Sequence, residues 1–245
     1  KRVDFIIHAA AESHVDRSFA LNKKFIHTNV MGTRNVMEAC KINKIKKIIY
    51  ISTDEVYGEI YKGKFSENSN LNPSNPYSSS KAAAEMIVSG YIFSYKLPVI
   101  ITRGNNIFGT RQHYEKLIPA CCINTILGKK ISLHGSGLQE RSFIYIKDFC
   151  KAIHLLLKKG KIYNIYNIGS NFEYRNIDVV KLILSEFGLG FKGNVKYIKD
   201  RPFNDFRYSI DIRKIKKLSW LPIFKLEDKI HSVVEWYKKN YKQFL

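Results

Sequence analysis

Nowhere in the 245 residues does an apolar run approach the ~20 residues needed to cross a bilayer. Proline and glycine are scarce, 6 and 14, which excludes a linker-rich or fibrous chain. The 4 cysteines, Cys40, Cys121, Cys122 and Cys150, form no C-x-x-C pair and have no histidine at a zinc spacing. Two of them are adjacent, which is awkward for a disulfide framework, so reduced, mostly packed thiols of an intracellular protein are expected. Lys1–Arg2 run straight into the strand-like Val3-Asp4-Phe5-Ile6-Ile7 with no cleavage pattern, so a secretory leader is not expected and a cytoplasmic protein is. Acidic residues are few, 21 against 41 Lys plus Arg, giving a formal charge of +20. One further absence concerns phosphate binding: no G-x-G-x-x-G or G-x-x-G-x-x-G turn follows any early strand.

What remains is a globular composition, 45% hydrophobic and 13% aromatic. The basic surplus suits polyanions such as nucleic acid, anionic membranes or phosphorylated small molecules. Much of it, however, lies in scattered pairs such as Lys23-Lys24, Lys46-Lys47 and Lys238-Lys239, which read as solvated faces. Val3–Ala10, Ile48–Ile51 and Pro98–Thr102 read as strands buried on both faces, and Leu21 to about Lys41 and Pro76 to about Lys96 as helices. This alternation predicts parallel crossovers in a doubly wound α/β sheet; without the Gly-rich turn, either the fold is another one or the chain starts partway through a Rossmann-like one. The second half is less regular. Helices are expected at Lys116–Leu127, Lys147–Lys159 and Glu227–Tyr241, and extended segments at Ile131–His134, Ser142–Ile146 and Tyr163–Ile168. The expected division is residues 1–108 as the remainder of a dinucleotide-binding domain, with about 140–180 returning to it, and 109–245 as a smaller α/β substrate domain.

The strongest chemical constellation is Tyr77 with Lys81, four apart on one helical face, behind a cap at Asn75 and Pro76. An ammonium near a phenol favours phenolate and suits it to general-base work. Ser52-Thr53-Asp54-Glu55 stands at a strand exit, where ligands of open parallel sheets bind. Asp54 and Glu55 are adjacent and would face apart in a regular strand, so the chain must turn there if both serve one substrate. Two carboxyls in different surroundings can divide acid and base duties. A helix cap or solvated turn explains the same residues equally well. Ala9-Ala10-Ala11 gives a flat ligand close access to backbone, Asn29 is a poor helix former suited to bracing a site, and Arg141 and Arg201 are candidate phosphate ligands.

Together these segments resemble the nucleotide-sugar 4,6-dehydratases of the extended short-chain dehydrogenase/reductase superfamily. The matching stretches are HAAAESHVDRS (8–18), TNVMGT (28–33), ISTDEVYGE (51–59) and NPYSSSKAAAE (75–85), followed by ITRGNNIFGT (101–110), EKLIP (115–119), GSGLQERSFIYIKD (135–148), YNIGSN (166–171), RPFNDFRY (201–208) and VEWY (234–237). The Y-x-x-x-K pair indicates the superfamily, whereas Thr53-Asp54-Glu55 separates dehydratases from epimerases. The departures are the missing Gly-rich turn, His134 near the base, and Asn204 in the R-P-x-x-D segment; RPFND (201–205) and TRGNN (102–106) lean toward UDP-glucose over dTDP-glucose.

The resemblance implies an internal redox dehydration of a nucleotide-activated glucose to its 4-keto-6-deoxy form, as in rhamnose biosynthesis, with NAD as cofactor. Tyr77, helped by Lys81 and Thr53, would take the C4 hydroxyl proton, Glu55 the C5 proton, and Asp54 would protonate the C6 hydroxyl. Ala10, Asn29, Ser52, Tyr77, Lys81, Gly104 and Asn105 are implied at the cofactor, and no metal. His14, Asn106, Lys116, His134, Arg141, Asn176, Arg201 and Asn204 are implied at sugar, diphosphate or base. A homodimer through the 21–42 and 76–96 helices is implied too. The rivals are a nucleotide-sugar 4-epimerase, a non-catalytic basic nucleic-acid-binding protein and a cofactor-free scaffold.

Overall fold

The computed structural model describes residues 3–244; Lys1, Arg2 and Leu245 lie outside the described residues. The first half builds β1 (Phe5–His8), α1 (Val15–Ala20), α2 (Asn22–Phe25), α3 (Gly32–Ile42), β2 (Lys47–Thr53), α4 (Pro76–Tyr95) and β3 (Val99–Gly104). It continues with β4 (Asn106–Phe108), α5 (Leu117–Ile126), β5 (Ile131–His134), β6 (Glu140–Tyr145), α6 (Ile146–Lys159) and β7 (Ile165–Ile168). The chain closes with β8 (Glu173–Arg175), α7 (Asn176–Ser185), β9 (Val195–Ile198), α8 (Arg213–Lys216) and α9 (Glu227–Asn240).

The main sheet has the order β1-β2-β3-β7, all parallel, with Ile48 beside Val99 and Ile101 beside Ile165. Its central strands read as unbroken apolar runs because both faces are covered. Ile48 and Tyr50 of β2 pack with Met37 and Cys40 of α3 and with Ala84 and Val88 of α4. Ile49, one step along the pleat, packs on the opposite side with Phe149, Ile153 and Leu156 of α6. This is a Rossmann-like layer, and Tyr163–Ile168 supplies a strand to it from the second half of the chain.

β1 departs from expectation. The strand ends at His8 rather than Ala10, and Phe5 and Ile7 are about half exposed, 55% and 48%. It pairs only with β2 among the described residues, so the face and edge beyond it are not covered as those of β2 and β3 are. The expected 21–41 helix is also interrupted: a wider π-turn, Ile26–Met31, separates α2 from α3. Such turns re-aim single side chains inside a helix, and the one re-aimed here is the buried Asn29.

A second core lies between α5, α7 and α9, with Cys121, Cys122, Val180, Ile183, Val234 and Tyr237 fully buried against Ile131 and Leu133 of β5. The α7 helix and the short β8 and β9 were not expected from the sequence. β9 pairs with β5, and β8 with β6. Cys40, Cys121 and Cys122 are buried free thiols, as expected, while Cys150 is exposed. Among the described residues no helix is long and apolar enough to cross a membrane.

One ion pair ties the layers together. Arg103 near the end of β3 grips Glu85 of α4 through Nε at 3.1 Å and Nη2 at 2.6 Å. Both side chains are almost wholly buried, at 4% and 1% exposure, and the guanidinium stacks on Tyr57 at 4.6 Å. A buried pair stabilises little over an apolar pair, but losing one partner strands the other charge. Glu85→Gln is therefore expected to lower the unfolding free energy by about 3 kcal/mol or more, and Glu85→Met with Arg103→Met by much less. Urea denaturation midpoints check this; equal losses in the single and double variants would contradict it.

Candidate active site

The exits of β1, β2 and β3 meet the start of α4 at a cavity of about 460 Å³, a volume typical of small-molecule sites. β2 runs extended as far as Thr53, and the chain then turns through the tight helical turn Asp54–Tyr57. Thr53 caps that turn, its hydroxyl accepting the Glu55 N–H at 3.3 Å. The turn ends at Gly58 with φ +81°, where a side chain would run into the Asn72 carbonyl, so glycine is required. The chain thus turns where two adjacent carboxyls need it to. Glu55 lines the cavity, whereas Asp54, 2% exposed, lies immediately behind the wall.

The two carboxyls sit in different surroundings. Burial, reinforced by Glu55, pushes Asp54 up to about 7, and hydrogen bonds from Asn105 and Thr53 oppose the rise. Its Oδ2 accepts Asn105 Nδ2 at 2.6 Å and its Oδ1 accepts Thr53 Oγ1 at 3.3 Å. Glu55 is raised by burial too, while Lys116, Arg141 and Arg201 pull it back toward the ionised form. Its Oε2 lies 3.5 Å from Asn75 Nδ2.

Asn75 also starts α4. It accepts Ser78 N–H at 2.9 Å while Ser78 Oγ accepts the Asn75 N–H, a reciprocal cap with Pro76 in the first turn. Tyr77, Lys81 and Glu85 then fall on one buried face at successive turns. Tyr77 and Lys81 line the cavity. Tyr77 is pushed up by burial and by Glu55, with a Thr53 hydrogen bond opposing. The lowering expected from Lys81 is not seen. The Lys81 ammonium instead donates to the Ile51 carbonyl at 2.8 Å, sits over the Tyr50 ring at 4.6 Å, and is itself drawn down to about 8 by burial.

The remaining expected residues divide into those at the cavity and those behind it. Ser52, Gly104, Asn105 and Asn106 line it at the strand exits; His14, Lys116 and His134 line another side; Arg141, Asn176, Arg201 and Asn204 complete it. Ala10 is not on the wall, though Ala9 and Ala11 are. Asn29 stands behind it. Its amide bonds Glu12 N–H and C=O at 2.8 and 2.9 Å and Ser80 Oγ at 2.9 Å, pinning the loop after β1 to α4.

Both arginines offered as phosphate ligands have protein partners. Arg201 makes a two-pronged pair with Asp16 at 2.6 and 3.1 Å. Arg141 donates to the carbonyls of Glu140, Asp205 and Phe206 and to Asn204 Oδ1, and it stacks on Tyr208 at 4.5 Å. Lys116 donates to the Ser13 carbonyl, and His14 Nε2 meets the Glu115 carbonyl at 3.0 Å. A second depression of the same volume, around Lys64, Asp211 and Arg213, contains none of the expected residues.

Several residues that brace the site from outside the cavity wall carried no flag in the sequence. Asp16 and Glu85 are the partners of two arginines. His8 is buried against Thr33 Oγ1 at 3.1 Å and held neutral, down to about 4, by burial and then by Lys81. Glu85, one turn beyond Lys81, was open to the same spacing logic; Asp16 and His8 had no local signal.

The residues present also suit a dinucleotide at its nicotinamide end. Ser52 Oγ is buried beside the cavity and has no hydrogen-bond partner. Small Ala9 and Ala11 leave backbone accessible next to it.

Residues 1–169 match the family described as the NAD dependent epimerase/dehydratase family. The chain belongs to that family. It is 40% identical to the dTDP-D-glucose 4,6-dehydratase of Dictyostelium discoideum, covering 100% of this chain and 67% of that protein. It is 43% identical to a trifunctional UDP-glucose 4,6-dehydratase/UDP-4-keto-6-deoxy-D-glucose 3,5-epimerase/UDP-4-keto-L-rhamnose-reductase of Arabidopsis thaliana, over 98% of this chain and 37% of that one. The solved dTDP-glucose 4,6-dehydratase of Streptomyces venezuelae with NAD bound superposes with a TM-score of 0.96 at 37% identity, over 99% of this chain and 75% of that one.

The raised Asp54 carboxyl makes a stability prediction. The folded protein keeps a proton that the unfolded chain releases near its ordinary value of 3.8. The stability this group contributes is full below that pH and is lost as pH rises through about 7. Asp54→Asn can present its carbonyl to Asn105 and its N–H to Thr53 without titrating. The variant is expected to gain on the wild type between about pH 4 and pH 7, by roughly 2–4 kcal/mol at the upper end. Denaturant midpoints across that range measure it, and a difference constant with pH would contradict it.

Proposed function

We propose that this chain carries the catalytic residues of a nucleotide-glucose 4,6-dehydratase, converting UDP- or dTDP-glucose to the 4-keto-6-deoxy sugar. The observation that carries the reading is the divided environment of Asp54 and Glu55 beside Tyr77, Lys81 and Thr53. One carboxyl is buried and able to hold a proton at neutral pH. The other lies on the cavity wall among cations. A 4-epimerase needs the phenol and the amine but has no use for two such carboxyls. A nucleic-acid-binding protein or an inert scaffold has use for none of the four.

In this reading Thr53 orients the sugar C4 hydroxyl and Tyr77 takes its proton. The adjacent ammonium of Lys81 lends positive charge to that end of the cavity. Once C4 is a ketone the C5 proton is acidic; Glu55 removes it, and Asp54 protonates the departing C6 hydroxyl. NAD, when bound, supplies the reversible hydride acceptance that the sugar carbons require. Ser52, Tyr77 and Lys81 would hold it, with Ala10, Asn29, Gly104 and Asn105 forming or bracing the cofactor side. His14, Asn106, Lys116 and His134, with Arg141, Asn176, Arg201 and Asn204, would meet the sugar, diphosphate or base. Residues 1–108, with about 140–180, would form the cofactor unit and 109–245 mainly the nucleotide-sugar unit.

The same reading includes a homodimer through the 21–42 and 76–96 helices in the cytoplasm. Exposed Ile26, Met86 and Phe93 on those helices support the pairing.

The test uses the full-length protein with NAD and either nucleotide-glucose. The expected product has lost one water. Glu55→Gln and Tyr77→Phe are each expected to slow its formation at least about 100-fold, the scale of a positioned acid or base. Mass spectrometry reads the outcome; a galactose epimer of unchanged mass would contradict the proposal.

A further inference from the structure

Asn105 lines the cavity, yet both ends of its amide are engaged inside the protein. Its Oδ1 accepts the backbone N–H of Ser170 at 3.1 Å, just past the end of β7. Its Nδ2 donates to Asp54 Oδ2 at 2.6 Å, and its own N–H is bonded to the Ile168 carbonyl at 3.1 Å. Between the two anchor points, Ile168 at the end of β7 and Ser170 beyond it, lies Gly169, where any Cβ would overlap the Asn105 side-chain oxygen, so the close approach requires glycine.

These contacts fix the amide orientation. A backbone N–H can only donate, so the atom facing Ser170 must be the oxygen and the atom facing Asp54 must be the NH₂. An amide N–H cannot accept a proton from a carboxylic acid. Whenever Asp54 is protonated, the proton must therefore sit on Oδ1. That oxygen lies 3.3 Å from the Thr53 hydroxyl, which can rotate to accept, and Thr53 lines the cavity. When Asp54 gives up the proton, the bond from Asn105 becomes charge-assisted and strengthens.

We propose that Asn105 is a positioning residue for Asp54: locked by Ser170, it confines the acid proton to Oδ1 on the Thr53 side and stabilises the carboxylate left when that proton is given away. This rests on the dehydratase reading above. In the step itself the Oδ1–H bond breaks and its electron pair remains on Asp54. The proton joins the C6 oxygen, the C6–O bond breaks and water leaves. The electron pair released when Glu55 removes the C5 proton forms the C5–C6 double bond, so charge and atoms balance.

The charged and titratable groups around Asp54 are Glu55 on its own turn, Arg141 of β6 and Tyr77 of α4. Glu55 opposes ionisation and Arg141 favours it; neither donates a hydrogen bond to Oδ2. Asn105 is thus the direct donor that favours the ionised form at that oxygen. Removing it makes Asp54 a weaker acid.

The test uses full-length protein with NAD and nucleotide-glucose, comparing wild type with Asn105→Leu, and with Asn105→Ser as a smaller, polar variant in case the first does not fold. Dehydration falls at high pH as Asp54 loses its proton. That alkaline limb is expected to move up by about one pH unit in both variants, a tenfold change in acidity. The plateau kcat should drop about tenfold and KM stay within about twofold, because the amide is already fully engaged within the protein. Infrared titration supplies a readout independent of turnover, using the protonated-carboxyl band that vanishes in Asp54→Asn. It should titrate about one unit higher without Asn105. An unmoved or lowered band would overturn the proposal. A raised band with an unmoved limb supports the coupling of Asn105 to Asp54 and instead removes Asp54 from the acid step, which is a failure of the functional reading.

Discussion

Burial of one carboxyl at the end of a parallel strand is the constraint around which this site is arranged. A lone carboxylate in that position is costly, and the cost falls when the group keeps its proton or is given donors. Asp54 has donors on both oxygens, from Thr53 and from Asn105, and still sits near neutrality. An acid of that strength is useful only next to groups able to handle the proton's counterpart. The turn that buries Asp54 is the same turn that brings Glu55 to the cavity. Two residues adjacent in sequence are thereby given different surroundings by a single change of backbone direction: both are raised by burial, but only Glu55 lies on the cavity wall among Lys116, Arg141 and Arg201.

The scaffold keeps that arrangement rigid through contacts that cross from one element to another. Arg103 ties β3 to α4 through Glu85, and two residues further along Asn105 ties the end of β3 to Asp54 and to the chain after β7. Asn29, re-aimed by the π-turn, fastens the loop after β1 to Ser80 on α4. Tyr77 and Lys81 lie between these fastenings. Arg141 and Arg201 serve the other side: one gathers the 204–206 segment, the other joins the chain just before it to Asp16 of α1. Cations that look like ligands in sequence are therefore also structural cross-links, and each keeps a charge near the cavity while its donors hold the backbone.

Much of the central sheet was legible because its signals are local. Ile48–Ile51 and Val99–Thr102 are apolar runs flanked by helical patterns, and Asn75-Pro76 marks a helix start directly. Tyr77 and Lys81 share a face by spacing alone, and the strand-exit rule located Ser52–Glu55. What sequence could not give was set by tertiary partners. Whether Asp54 or Glu55 faces the cavity depends on a tight turn whose closing glycine is required by its positive φ and by the approach of Asn72. The exposed face of β1 depends on which strands lie beside it, not on its composition. Tyr77 shifts upward rather than downward because of its burial and then of Glu55, while the Lys81 ammonium is bound to the Ile51 carbonyl, a partner thirty positions away that spacing cannot reveal. The α7 helix is not evident in the sequence because the second half offers no alternation of strand and helix to frame it.

A structure of the full-length protein with a nucleotide-glucose in place tests the convergence of these groups most directly. The C4 hydroxyl is expected within hydrogen-bond reach of Tyr77 and Thr53, with the C5–C6 edge of the same ring turned toward Glu55 and Asp54. A glucosyl ring whose C6 points away from that wall, or one seated in the depression near Lys64 and Arg213, would contradict the account.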